Sequence, residues 1–86
     1  MSEQRNPERI RALFDQLFAE LPDFPESEVE KVRGVLVGGE FLIAIENLTT
    51  QLYEFDIPIG TEARVTLAEL SRITGLAPRY TAVLGL

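Results

Sequence analysis

The side chains in this sequence that can do acid–base or ligand chemistry are carboxylates. Fourteen Asp and Glu stand against eight Lys and Arg, and the 86 residues contain neither His nor Cys. Without imidazole the chain lacks the commonest general base and the commonest neutral metal ligand. A Ser or Thr nucleophile would have nothing to activate it. Without Cys there are no disulfides, thiolate metal sites or thiol nucleophiles. Carboxylates alone can still exchange protons, but a chain this short rarely encloses a pocket around them. No catalytic residue, metal or cofactor is expected.

Three groupings test that expectation. Glu26, Glu28 and Glu30 alternate, and residues two apart do not share a helix face. They read as an acidic helix start favoured by the dipole, because a hard-cation site needs more converging oxygens. Gly38-Gly39 lacks the strand and the wider glycine pattern of a phosphate loop and reads as a helix end. Glu54 and Asp56 flank Phe55 beside Tyr53. One reading makes them caps of the following loop through backbone N–H groups, the other makes them contacts to a partner. Tyr53 is likewise either an amphipathic residue at the core edge or an interface anchor.

The elements that position these residues are helical, in an all-α, compact bundle of about four short helices with a C-terminal tail. Residues 1–86 make one domain, with a loose polar start over 1–5 and a tail over 77–86. Asn6-Pro7-Glu8 is a helix entry, and Ile10, Leu13, Phe14, Leu17, Phe18 and Leu21 follow as one stripe that ends before Pro22. A second helix starts near Glu26 or Ser27, carries Val29, Val32, Val35 and Leu36 inward, and stops at Gly38-Gly39. The third runs from about Glu40 to Phe55. It turns Phe41, Ala44, Ile45, Leu48, Leu52 and Phe55 to the core and Glu40, Ile43, Asn47, Thr50, Gln51 and Glu54 away from it. Thr61 reads as the N-cap of a fourth helix over about 62–74 that buries Val65, Leu67, Leu70 and Ile73, with Gly75 as its C-cap. The tail, with Tyr80, Val83, Leu84 and Leu86, packs back as an extended segment or a short helical turn.

The formal net charge is −6, and it is unevenly placed. Residues 1–19 balance. Residues 20–62 hold ten acids against Lys31 and Arg33. Residues 63–86 carry an excess of two cations. Nucleic acid is a poor partner for such a chain, because phosphate binding needs clustered Lys and Arg. A basic protein surface is the complementary one. No apolar run approaches the roughly 20 residues of a membrane span, and residues 1–11 hold no apolar leader stretch. A cytoplasmic location without membrane attachment is expected.

The run from Gly39 to Ile59, above all Glu46 followed by Gln51-Leu52-Tyr53-Glu54-Phe55-Asp56-Ile57, resembles the MafI-type immunity proteins of bacterial polymorphic-toxin systems. The fourth-helix ending Ile73-Thr74-Gly75-Leu76 is also similar, so the resemblance spans residues 29–76. Thr49 and Thr50 stand where many relatives have Cys and Asp, and the tail lies outside the resemblance. What the resemblance implies is a small cytoplasmic binder that neutralises a cognate toxin domain one-to-one. Many toxins of such systems are nucleases with a basic active face. On that reading the contacts fall on Glu40, Glu46, Asn47, Glu54 and Asp56, with Tyr53 as anchor. The alternatives are a helical adaptor that self-associates through its apolar tail and a small carboxylate enzyme, the latter disfavoured by the lack of His.

Overall fold

The computed structural model describes residues 6–86, and the loose start read over 1–5 lies outside them. Five helices follow in order: α1 (Pro7–Ala19), α2 (Glu26–Val37), α3 (Phe41–Glu54), α4 (Thr61–Thr74) and α5 (Pro78–Ala82). The chain is an all-helical bundle. Its Cα atoms spread over 35 × 25 × 19 Å. Since a helix with its side chains is about 10–12 Å across, the bundle is two layers thick and every helix keeps a solvent face.

α3 is the shared wall. It packs against α2, α4 and α5, and α1 closes the bundle against α4. The core joins Ile10, Phe14 and Leu17 of α1, Val29, Val32 and Leu36 of α2, Ala44, Ile45, Leu48 and Leu52 of α3, and Ala63, Leu67, Leu70 and Ile73 of α4. Thr49 is fully buried among them. Its hydroxyl lies 2.8 Å from the Ile45 carbonyl and 3.1 Å from that of Glu46, so its own helix satisfies it.

The helix ends obey local chemistry. Asn6 accepts the Arg9 N–H at 3.2 Å as an N-cap, with Pro7 at the first helical position. α2 has no basic residue in its last turn. Arg11 of α1 supplies the missing cation, donating at 3.0 Å to the Leu36 carbonyl while stacking over Phe41. The second glycine of Gly38-Gly39 takes the left-handed conformation, at φ 76°, and turns the chain into α3.

The α1–α4 seam is polar at its rim. Gln16 and Thr66 bridge to Glu20, and Glu69 receives Arg9 at 2.7 Å and Arg72 at 2.8 Å. The hydrogen bonds from Arg72 and then Arg9 hold the Glu69 carboxyl down at about 2, against 4.5 for an ordinary glutamate.

Three expectations need correction. Val65 is 68% exposed, because it lies two residues from both Ala63 and Leu67, about 200° around the helix from each; Ala63 and Thr66 fill the core positions instead. Thr61 is the first helical residue, and Gly60 occupies the cap position without a side-chain hydrogen bond. Phe55 is 49% exposed, since the helix stops at Glu54 and the chain leaves the core direction one residue later. Glu28 stands in the acidic first turn of α2, as expected, and is buried there, only 8% exposed, with its carboxylate at 3.1 Å from Lys31. The tail forms the short helix α5, with Tyr80 and Leu84 half-buried against the core and Val83 and Leu86 exposed.

Truncating the fully buried Leu48 to Ala is expected to cost about 2–5 kcal/mol, whereas Val65→Ser at the exposed site should stay within about 0.5 kcal/mol; urea unfolding of both variants checks the contrast. A second expectation concerns acid. The Glu69 carboxyl is held below its unfolded value, so its contribution is complete above pH 4.5 and is lost as pH falls toward about 2. Glu69→Gln should flatten the acid limb of the melting-temperature profile in that window and leave its slope above pH 6 unchanged.

Candidate functional site

α3 presents its apolar stripe to three neighbours and leaves the opposite face uncovered. Ala44, Ile45, Leu48, Thr49 and Leu52 are buried. The outer face holds Leu42, Ile43, Asn47, Thr50, Tyr53 and Glu54, all exposed, with Glu46 and Gln51 half-buried. Helical spacing arranges the face as two rows. Leu42, Glu46 and Tyr53 form one, and Ile43, Asn47, Thr50 and Glu54 form the other.

The outer face is more apolar than the sequence reading made it. Eight large apolar side chains are exposed among the described residues, and four of them (Leu42, Ile43, Tyr53 and Phe55) belong to α3 or its C-cap. Single exposed apolar residues need no explanation; here Leu42 and Ile43 form one pair at the start of α3 and Tyr53 and Phe55 another at its end, which makes the helix a candidate contact. Leu42 was missed and Ile43 was counted with the polar residues. The signal was present as two large aliphatic residues at positions opposite the core stripe.

The charge of this region is one-signed. No Lys or Arg occurs between Arg33 and Arg64. Glu40, Glu46, Glu54, Asp56 and Glu62 make no ion pair among the described residues, whose salt bridges engage Asp15, Glu28 and Glu69. The nearby cations are occupied elsewhere. Arg33 pairs with Asp15 and stacks over Phe18, Arg11 caps α2, and Arg64 directs its Nε to the Ile59 carbonyl. An uncompensated acidic field along α3 attracts a cationic surface.

The six residues singled out from sequence do not converge on a point. Glu40 is the N-cap of α3, makes no side-chain cap bond, and borders an apolar hollow of about 430 Å³ with Ile10, Leu42, Ile43 and Ile73. Tyr53, Glu54 and Asp56 sit at the other end, around a second cleft of about 480 Å³. Glu46 and Asn47 lie between, lining neither. Fourteen helical residues separate the ends, or about 20 Å at 1.5 Å per residue. That is the scale of a protein contact rather than a small-molecule pocket. Among the described residues no three acidic side chains converge as a cation site would require. No helix of the structure is long and apolar enough to cross a membrane, among those residues.

Asp56 has the one positive φ of a non-glycine residue among those described, at 52°. It occupies the C′ position of a Schellman-type ending, in which the Ile57 N–H donates to the Leu52 carbonyl at 3.0 Å. The capping is done by backbone, so the Asp56 side chain is exposed and free of that task. The same holds for Glu54, which neither cap nor ion pair engages among the described residues. The loop-capping reading of these two acids is therefore not what the geometry displays.

Comparison of the chain with models of known protein families, with curated proteins and with solved structures found no match. The functional reading rests on the residues and their arrangement.

Glycine is the residue that best tolerates the backbone at position 56. Asp56→Gly is expected to raise stability by about 0.5–1 kcal/mol and Asp56→Val to lower it by about 1–2 kcal/mol, read from urea midpoints at pH 7.

Proposed function

We propose that this protein is a stoichiometric binder of a basic-surfaced protein domain, and that the partner is a cognate bacterial toxin which it neutralises. The observation that carries the binding role is the outer face of α3. Its exposed Leu42, Ile43 and Tyr53 stand among acids that make no ion pair among the described residues. Apolar and aromatic anchors exclude water and supply the affinity of a contact, while the surrounding charge sets encounter rate and partner choice.

The toxin assignment draws on the resemblance of residues 29–76 to the MafI-type immunity proteins. The face just described is carried by the part of the chain that holds the resemblance. A nuclease domain offers a cationic active face, and an acidic helix laid across it would occupy the path of the nucleic acid. Glu40, Glu46, Asn47, Glu54 and Asp56 supply polar and charged contacts along about 20 Å, and Tyr53, 58% exposed, is the aromatic anchor. A cytoplasmic site of action follows from this reading. Self-association through the tail has less to draw on, since Tyr80 and Leu84 are already spent on the core and only Val83 and Leu86 remain exposed.

Co-expression with a candidate toxin domain encoded beside this gene, scored by growth, tests the proposal. The wild-type protein should restore growth. Combined Glu40→Lys, Glu46→Lys and Glu54→Lys should abolish rescue and weaken the complex about 100-fold or more, with helicity by circular dichroism unchanged. Rescue that survives the triple reversal would move the contact off α3. A verified toxin that kills despite expression of the wild-type protein would remove the immunity role against it.

A further inference from the structure

The cleft at the C-terminal end of α3 has a composition that the outer face alone does not explain. Leu52, Ile57, Ile59 and Leu84 line it, and all four are buried or half-buried. Tyr53 and Val83 line it as exposed apolar groups, and Glu54 and Asp56 as carboxylates. Its volume of about 480 Å³ lies within the roughly 300–1,000 Å³ typical of ligand clefts. The tail contributes to the wall. Val83 and Leu84 follow directly on α5, which packs against α3.

We infer that this cleft, completed by the C-terminal segment, receives one long cationic side chain, Arg or Lys, from the basic protein partner. The inference rests on the binding role proposed above and names what that partner inserts. A long cationic side chain has two parts with different needs. Its methylene stem prefers apolar surface and its head prefers carboxylate oxygens. The cleft offers both, with aliphatic lining from Ile57, Ile59 and Val83, and with Glu54 and Asp56 making no ion pair among the described residues. Arg64 also lines it, but its Nε is directed at the Ile59 carbonyl at 3.4 Å and it pairs with neither acid. The lining therefore keeps a net negative charge. The placement of Asp56 accords with this use. A backbone position that suits glycine carries a carboxylate instead, and the side chain makes no hydrogen bond that the fold needs.

The role given to the tail differs from that of a dimerisation arm. Residues 83 and 84 shape a recognition cleft on the same molecule, and they lie outside the segment that resembles the immunity proteins.

The test uses ¹⁵N-labelled full-length protein titrated with acetyl-Ala-Arg-Ala-amide, and with the citrulline counterpart, which keeps shape and loses charge. Saturable amide shifts at Glu54, Asp56, Ile57 and Val83 are expected with the arginine peptide, and at least about fivefold weaker binding with citrulline. The double variant Glu54→Gln with Asp56→Asn should bind the arginine peptide about tenfold more weakly or not at all; Asn tolerates the left-handed backbone at 56, so the fold is preserved. Val83→Lys, which tethers a cation at the wall, should have the same effect, and its exposed position keeps the core intact. Equal binding of both peptides, or shifts confined to other surfaces, would overturn the inference. Toxin rescue by wild type with no peptide response in the cleft would remove the cleft and leave the binding role. A cleft response without rescue would keep the cleft and remove the toxin.

Discussion

The structure depends on one helix having to serve three neighbours at once. α3 offers a single apolar stripe, Ala44, Ile45, Leu48, Thr49 and Leu52, and α2, α4 and α5 all close against that helix. In a bundle only two layers thick, a helix so engaged still has a face no other element reaches. The surface proposed for the contact is what remains once the core has taken its share. This is why the core and most of the candidate contact lie back to back on α3, with Glu40 and Asp56 just beyond its two ends. Substitutions on the outer face should change recognition with little effect on packing, and those on the inner face should do the reverse.

The electrostatic arrangement follows from how the cations are used. Arg11 caps α2, Arg33 joins α2 to Asp15, and Arg9 and Arg72 converge on Glu69. Each is committed to joining or capping helices, at positions exposed enough that every single pair is worth little in stability. Their collective effect is on the field. With these four arginines drawn to the α1–α2 and α1–α4 seams, the acids of α3 and its flanks make no ion pair among the described residues, and Arg64 is the cation that lines the cleft beside them.

Much of this was legible in the sequence where a helix repeat of apolar residues coincided with a clear stop signal. The α1 stripe from Ile10 to Leu21, the break at Gly38-Gly39 and the Gly75 cap were read from local rules, because each is decided within one turn of helix. Val65 and Phe55 were misplaced for the opposite reason. Phe55 follows the last residue of α3, where the helical phase ends, and Val65 lies within α4 but two residues out of step with Leu67, so that its apolar type disagreed with its phase. Glu28 was illegible because its burial depends on how α2 packs, which no local rule states. At the site, the acids were readable as charge, and Tyr53 was readable as either a core-edge residue or an interface anchor. The cleft was not, since Val83, Ile57 and Arg64 meet Glu54 and Asp56 only after the tail has folded back across α3.

The pairing of α1 with α4 has a bearing on how the chain is made. A protein is synthesised from its N-terminus, and α1 must exist before its packing partner does. Its contacts reach far along the chain, Gln16 to Thr66 and Arg9 to Glu69. At about 5–20 residues per second, the residues between α1 and the end of α4 take several seconds to emerge. During that interval α2 and α3, neighbours in sequence, can close on each other, because short loops close at low entropic cost. Ile10, Phe14 and Leu17 meanwhile have no α4 to cover them. The apolar stripe of α1 therefore stays without its partner until α4 has been made, and the exposed charged residues Glu8, Arg9, Arg11 and Asp15 on the same segment oppose its non-specific association in that interval.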